Sequence, residues 1–436
     1  MRGYISALLV CLIASNAVSG VLVDLDQSAE LNNPSLTAAG YRGKIAEAQT
    51  SQARSSYLPQ ISANASISKH EQELENGRSL RYDGQKSSIT VQQAIFDKYS
   101  LNKIDESSAI ESVYALKLKE IHQSIRKDIL FSYLDAALNM EKLSILKQQK
   151  INLEGQLEQI KSRYKLQLAK VTDVYQAEAE VARLTADVTF YEQQLNIFLR
   201  RLYSLSKYEP ILKMESISPI LHDRVLLAVD SMPFSTLLNK TRENPKLLAL
   251  SKEIEAAAIG KDAAFAKHYP TVYLGASIQK SNTGYEDSPS SKTTTSSLSL
   301  NLSVPLYSGG QTDAKVREAS HRQSLAQAEY NVEEQNLEQL VQEAYSELIG
   351  AKRQFEAKEL LVKSSEKAYS ANQRGYELGV VTINDVLLSQ NALSKVIADK
   401  VDINYQILKA KLNLAFAVGL MDYELVSTLD KVATLK

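Results

Sequence analysis

Amphipathic strands that run directly into very long helices constrain this chain more than any other feature. Between residues 296 and 304, leucine or valine alternates with serine or asparagine, which predicts a strand with one apolar and one polar face. Pro305 ends the strand because proline has no N–H to donate. Gly309 and Gly310 permit a sharp turn, and a helical pattern then runs over residues 311–376.

The same arrangement occurs half a chain earlier. The motif Asn33-Pro34-x-Leu36 recurs as Asn244-Pro245-x-Leu247 with a shift of 211 positions, and Pro59 recurs as Pro270 with the same shift. This spacing predicts a tandem duplication of one large unit. The predicted parts are a first repeat at 21–205 with a β-hairpin at 60–95, a connector at 206–233, a second repeat at 234–420 with a β-hairpin at 271–305, and a tail at 421–436.

Each predicted repeat contains a helix, two strands, a long helix and a second helix. The first helices are predicted as single helices over residues 26–57 and 234–269. The charged and glycine-containing segments 71–84 and 281–292 are predicted to be hairpin loops.

A heptad pattern indicates how the later helices pair. From Val174 to Leu205, apolar residues alternate spacings of three and four, and the preceding helix ends in the same pattern at Tyr164. We therefore expect an antiparallel coiled-coil hairpin with its tip near Ala169. The second repeat predicts an equivalent hairpin, interrupted at residues 379–384.

The start of the chain predicts export. Arg2 precedes an apolar run at residues 5–14, and small residues follow, which is typical of a secretory signal peptide over residues 1–20. Cys11, the only cysteine, lies inside this segment, so we expect no disulfide and no thiol catalysis. No later stretch is long and apolar enough for a transmembrane helix, which leaves a periplasmic, secreted or outer-membrane β-barrel protein. The formal net charge of −1 gives no reason to expect nucleic-acid binding.

Four amphipathic strands cannot close a barrel, because about eight strands is the practical minimum. If they stayed open, their edges would promote aggregation. Several copies of the chain are therefore expected to share one barrel.

The chain resembles the TolC family of outer-membrane channel proteins. The resemblance rests on both Asn-Pro motifs, on Leu58-Pro59 and Tyr269-Pro270, on Val304-Pro305-Leu306-Tyr307-Ser308-Gly309-Gly310, and on Gly375-Tyr376-x-Leu378-Gly379 with Asp385-Val386-Leu387. It implies a mainly α fold with a β-barrel part. Three chains would build a twelve-stranded barrel in the outer membrane, continued by a periplasmic α-helical barrel with coiled-coil hairpins.

The resemblance also implies a function and partners. The expected protein is the exit duct of a tripartite export system, which passively conducts small molecules such as drugs from a periplasmic adaptor and an inner-membrane transporter to the outside. Type I protein secretion is an alternative within this class. A non-conducting periplasmic coiled-coil scaffold is a rival from another class, although it has no use for strands with apolar outer faces.

The resemblance places a periplasmic gate at the hairpin tips. The family's gate tyrosine falls on Tyr376, its first acidic ring on Asp385, and their partners on Thr172 and Asp173. Two departures are visible, because a linking arginine of the family falls on Val381 and a second acidic ring falls on Leu388. A purely structural interpretation also fits, since Thr382-x-x-Asp385 matches a helix capping box and Tyr376 can simply pack against its neighbours.

The sequence contains no catalytic constellation. Its five histidines lack metal-ligand spacing, and neither a Ser/His/Asp grouping nor a phosphate-binding glycine loop is evident. We therefore expect no enzyme activity, no metal and no cofactor.

Overall fold

The structure, a computed structural model, describes residues 20–75, 77, 79–213, 217–285 and 291–434. Apart from Gly20, the predicted signal peptide lies outside the described residues. So do residues 214–216 of the predicted connector, residues 286–290 of the second predicted loop, and the last two residues of the predicted tail.

Nine α-helices and four strands account for most of the described chain, and no described helix combines the length and apolarity that a membrane crossing needs. The elements in order are α1 (Val21–Asn32), α2 (Pro34–Ser55), β1 (Gln60–Glu73), β2 (Ser79–Phe96), α3 (Lys98–Lys165), α4 (Val171–Ser206), α5 (Phe234–Lys240), α6 (Pro245–Ala266), β3 (Thr271–Tyr285), β4 (Ser291–Ser303), α7 (Gln311–Glu377), α8 (Ile383–Ala417) and α9 (Tyr423–Thr434).

The predicted first helix of each repeat is in fact two helices, so this part of the prediction is wrong. Asn33 and Asn244 have extended backbones, with ψ of 122° and 130°. The cause is the following proline, which disfavours the helical conformation of the residue before it.

The side chain of Asn33 donates from Nδ2 to the carbonyl oxygen of Leu205 at 2.8 Å. Asn244 donates in the same way to the carbonyl oxygens of Phe416 at 2.9 Å and Ala417 at 3.1 Å. Each break therefore satisfies carbonyls at the end of a hairpin helix.

The strands extend beyond their predicted ends. Strand pairing continues to Glu73 opposite Ser79 in the first hairpin and to Thr283 opposite Ser291 in the second. The prediction of loops over 71–84 and 281–292 is therefore wrong at their outer parts. Charged and polar residues weaken the sequence signal for a strand, but the backbone ladder does not depend on side-chain polarity.

The described residues form two compact units, one of which consists of residues 38–120 and 245–336 and contains the sheet. Its strands lie in the order β1-β2-β3-β4, and all neighbours are antiparallel. β1 and β4 are the edges. Several apolar side chains of the sheet are largely exposed, including Ile67 at 82% and Leu298 at 75%. A single chain therefore leaves both an apolar face and two edges uncovered.

The other unit consists of the described residues within 20–37, 121–244 and 337–434. In it the segment predicted as a tail forms α9, which buries Leu425, Val426 and Leu429. Asp430 of α9 accepts a hydrogen bond from the backbone N–H of Leu22 at 2.9 Å, at the first turn of α1. The carboxylate thus satisfies a donor that the helix itself leaves unpaired.

A buried lysine attaches the connector to α8. Lys411, whose side chain is 4% exposed, donates to the carbonyl oxygen of Val225 at 2.7 Å and lies 3.0 Å from Oδ2 of Asp230. On the preceding turns of α8, Asn404 donates to the carbonyl oxygen of Ile220 at 2.7 Å. These polar contacts fix the path of a segment that contains little regular structure.

Replacing Lys411 should destabilise this unit strongly. The substitution Lys411→Ala leaves the Asp230 carboxylate without its closest cation, and breaking a buried pair from one side costs about 3–5 kcal/mol. We expect the midpoint of urea unfolding, followed by near-UV circular dichroism in detergent, to fall clearly. Lys367→Ala removes an exposed lysine and should leave the midpoint unchanged. An unchanged midpoint in Lys411→Ala would contradict this account of the connector.

Candidate functional site

Two helical hairpins carry the predicted gate residues. α3 with α4 forms one hairpin, and α7 with α8 forms the other. A shared core near their tips includes Leu157 and Ile160 of α3, Val174 and Ala177 of α4, and Val386 of α8. Tyr369 and Tyr376 of α7 pack against this core while remaining partly exposed. The hairpins are therefore held together by apolar packing close to both tips.

Both tips end their first helix in the same way. Leu168 N–H donates to the Arg163 carbonyl at 2.8 Å, and Val380 N–H donates to the Gly375 carbonyl at 2.8 Å. Each turn needs one residue with a left-handed backbone, which is Gln167 with φ of 62° and Gly379 with φ of 76°. Glycine adopts this conformation without the steric cost that a side chain carries. The turn at the second tip thus uses glycine, which suits the left-handed conformation, whereas the turn at the first tip uses glutamine.

The acidic residue after each tip caps the helix that follows. Asp385 Oδ2 accepts from the Thr382 backbone N–H at 3.0 Å and from the Thr382 hydroxyl at 2.7 Å, while Asp385 N–H donates to that hydroxyl at 3.3 Å. The Thr382 hydroxyl, and then its N–H, hold the pKa of Asp385 below its usual range. Asp173 Oδ2 accepts from the Lys170 N–H at 3.2 Å. Asp385 is therefore a capping residue, as one interpretation of the sequence predicts.

Tyr376 contacts a cation that the sequence interpretation missed. The guanidinium of Arg163 lies 5.2 Å from the centre of the Tyr376 ring. Within the described residues, neither Thr172 nor Asp173 makes a hydrogen bond to Tyr376, and Thr172 is exposed. The structure thus brings together Tyr376 and Arg163 rather than the predicted partners. No local sequence pattern marks this contact, because Arg163 and Tyr376 lie more than 200 positions apart in the chain.

A cavity lies beside this contact. Its volume is about 520 Å³. Ile160, Ile383 and Val386 form the apolar part of the cavity lining. Arg163 adds a cationic group and Tyr376 adds an aromatic ring. The two hairpins are therefore incompletely packed against each other at this level.

The predicted strand–helix turns lie at element boundaries. Pro59 and Pro270 come directly before β1 and β3, where a missing N–H costs no ladder bond. Pro305 follows the end of β4. Gly309 and Gly310 have φ of 63° and 78° and come directly before α7, so both use a conformation that favours glycine.

No group of histidine, cysteine or carboxylate side chains in the described parts of the chain has an arrangement that could hold a metal ion.

Comparison with known proteins agrees with this arrangement. The outer membrane efflux protein family matches the chain over residues 25–206 and 238–420. The chain is 23% identical to the "Proteases secretion protein PrtF" of Dickeya chrysanthemi over 427 residues, which cover 92% of this chain and 88% of the relative. It is 23% identical to the "Outer membrane protein TolC" of Escherichia coli (strain K12) over 415 residues, which cover 92% of this chain and 82% of the relative.

A solved structure shares the fold. The outer membrane protein VceC from Vibrio cholerae superimposes with a TM-score of 0.79 at 20% identity, over 91% of this chain and 96% of that chain. The long paired helices and the four-stranded sheet thus share the fold of that outer membrane protein. The chain belongs to the outer membrane efflux protein family, so the resemblance found in the sequence is confirmed.

The cap at Asp385 should depend on pH in a defined direction. A depressed pKa means that the stabilisation by the carboxylate is present above its unfolded pKa of about 3.9 and is lost as the pH falls through the lower folded value. We therefore expect the stabilisation that this cap contributes to be unchanged between pH 7 and pH 5.

Thr382→Val removes the hydroxyl donor and should move the Asp385 pKa up toward its usual range, as measured by carboxyl ¹³C NMR. Thr189→Val serves as the control, because this exposed threonine donates its hydroxyl to the Thr185 carbonyl oxygen within α4. Equal Asp385 pKa values in wild type and Thr382→Val would refute the cap.

Proposed function

We propose that this protein is the passive exit duct of a tripartite export system. The observation that carries the proposal is the uncovered sheet, whose edge strands β1 and β4 lack partners within the sheet of one chain and whose apolar side chains face outward. An apolar band is what the lipid-facing side of a membrane barrel requires. A non-conducting periplasmic scaffold has no use for such a band.

The duct is proposed to be a homotrimer in which three sheets form one twelve-stranded barrel in the outer membrane. Closure would pair β1 of one chain with β4 of the next and leave no edge exposed. The lipid of the outer membrane would then cover the apolar side chains. The helices are proposed to continue the barrel into the periplasm, and the repeated order of elements supports a two-fold internal duplication.

Purified protein in mild detergent should have the mass of three chains. Four strands per chain cannot close a barrel alone, and twelve lie above the practical minimum of about eight. Native mass spectrometry measures the copy number directly. Leu306→Ala changes an exposed residue beyond the end of β4 and is a control that should leave the mass unchanged. A stable, folded monomer would rule out the shared barrel.

The proposed partners are a periplasmic adaptor and an inner-membrane transporter. The relatives named above include both a protease secretion protein and an outer membrane protein, so drug efflux and type I protein secretion both fit this duct. We propose small-molecule export as the main function, with protein secretion as the alternative. Expression in a host that lacks its own exit duct distinguishes these two functions. A duct for small molecules would restore drug resistance, whereas a duct for protein secretion would restore protease release.

The aperture of the duct is proposed to lie at the hairpin tips, with one Asp385 from each chain near the axis. Only Oδ2 of Asp385 bonds to Thr382 among the described residues, so Oδ1 is available to a cation. Like charges repel by about 1 kcal/mol at 4 Å even in water. A ring of three carboxylates would therefore recruit divalent cations, which would block the resting channel.

Asp385→Asn should weaken this block. The substitution removes the charge and keeps an oxygen that can accept the Thr382 hydrogen bonds. We expect reconstituted wild-type protein to form channels in planar bilayers, and the variant to need several-fold more Mg²⁺ on the tip side for half block. Asp173→Asn, the equivalent change after the first tip, is the matched control. A wild-type protein that forms no channel would refute the duct, and equal block in Asp385→Asn would refute the ring.

A further inference from the structure

A second cavity lies between three helices of the unit that contains the sheet. Its volume is about 410 Å³, which is within the usual range for small-molecule sites. All of its lining residues fall within residues 38–120 and 245–336, so the cavity belongs to one compact unit. α3, α6 and α7 each contribute to its lining, and it is called the α6 groove below.

α6 is the middle helix of the three. On one side, Lys117 of α3 lies 2.5 Å from Glu253 of α6. On the other side, Lys246 of α6 lies 2.9 Å from Glu333 of α7. Because both outer helices also line the cavity, the three-helix layer curves around it, and the α6 groove lies on the concave side of this layer.

Small residues make the floor of the α6 groove. A Cβ atom added at Gly260 would lie 3.0 Å from Oε1 of Glu106, so the two helices approach closely at this position. Ile110 and Val113 of α3 add apolar surface. The small residues that α6 contributes to the lining are Ala256, Ala257, Gly260, Ala263 and Ala264.

Most charged side chains in the walls of the α6 groove are paired with each other. The lining contains five basic and three acidic side chains. Lys103 lies 2.6 Å from Glu106, and Arg322 lies 2.7 Å from Glu318. With the pair of Lys117 and Glu253, these contacts use all three carboxylates. Two lysines of the lining are left without one.

The two remaining cations are Lys267 and Lys315. Among the residues that the structure describes, neither forms a salt bridge, and both are partly buried. Nζ of Lys267 lies 4.4 Å from the centre of the Tyr99 ring. Asp313, two positions before Lys315, lies 3.5 Å from the His268 ring instead. Lys267 lies four residues before β3, and Lys315 lies four residues after the start of α7, so both cations lie at the sheet end of the groove.

We propose that the α6 groove binds an amphipathic anion, which is a molecule with one sulfonate, carboxylate or phosphate group and an apolar body. Its anionic group lies between Lys267 and Lys315, where it supplies the negative charge that the walls lack. Its apolar body lies on the alanine floor, beside Tyr114. A neutral molecule would fill the same space and leave both lysines uncompensated.

The groove also indicates a class of exported molecule. In the proposed trimer, the concave side of the helix layer faces the lumen, so the α6 groove lies on the export path. Amphipathic anions are therefore among the small molecules that the duct conducts. This step rests on the proposed function, whereas binding to the groove does not.

A naphthalene sulfonate is a suitable probe, because it combines one anionic group with an apolar ring system. Equilibrium dialysis of the purified protein in a non-ionic detergent measures its binding, with protein-free micelles as the blank. We expect the sulfonate to bind more tightly than the neutral naphthalene sulfonamide and more tightly than inorganic sulfate. Its affinity should fall as the salt concentration rises, because salt screens charges at a partly exposed site.

Substitutions separate the charge from the shape of the groove. An ion pair at a partly exposed site corresponds to about a two- to fivefold change in affinity. Lys267→Gln and Lys315→Gln should each weaken binding by about that factor, and the double variant by about tenfold. Ala257→Leu fills the floor without a change of charge and should also weaken binding. Lys119→Gln removes an exposed lysine of α3 outside the lining and is the matched control. Melting temperatures equal to that of the wild type show that the variants are folded.

Equal sulfonate affinities of the wild type and the double variant would refute the lysine site. Equal binding of sulfonate and sulfonamide would refute it as well, and tighter binding of sulfate than of the sulfonate would refute the apolar part of the site. Channel current in planar bilayers tests the location, because the sulfonate should reduce the wild-type current at a lower concentration than it needs in the double variant. Binding without any effect on current would refute a position on the export path. A protein that forms no channel would refute the duct, while dialysis would still decide whether the groove binds the anion.

Discussion

Unpaired backbone groups at a sheet edge need a partner, and this constraint governs the whole chain. The four strands pair in sequence order, so β1 and β4 each present a free edge in a single chain. Leu298, Leu300 and Leu302 on β4 are all more than 60% exposed. The amphipathic helices of this chain cannot pair with the strand edges, and they cannot cover these apolar side chains. We propose that assembly of several chains in a membrane satisfies both the edges and the apolar side chains.

The helical hairpins depend on a different interaction, the packing of apolar side chains between paired helices. Apolar heptad packing supplies the rigidity, as with Leu157, Ile160 and Val174 near the tips. The Asn-Pro breaks add a second device, since Asn33 and Asn244 use their side chains to satisfy the ends of α4 and α8. The far ends of the hairpins are thereby fixed by hydrogen bonds, and the tips are fixed by apolar packing, a turn and one carboxylate each.

Much of this arrangement follows from local sequence patterns. Period-two alternation predicted all four strands, and heptads predicted both hairpins, because these patterns report which face of an element is buried. The extension of the strands over Gln72 and Asp83 was missed, since a backbone ladder can continue through polar residues.

The helix α9 was missed because Asp430 and Leu429 gain their role only through contact with α1 and its surroundings. Asp385 as a cap was predictable from Thr382 three residues before it. Arg163 was not found because its partner lies more than 200 positions away in sequence, and no local pattern records such a pairing.

Contacts between the two hairpins differ in kind along α3. Ion pairs join α3 to α8 well before the tips, at Asp135 and Lys142. Near the tips, buried apolar side chains such as Leu157 make the contact, and the Arg163 guanidinium lies against the Tyr376 ring. A cation–π contact at a partly exposed site contributes only about 0.5–1 kcal/mol. The burial of apolar side chains is therefore the main source of stability where the hairpins meet near their tips.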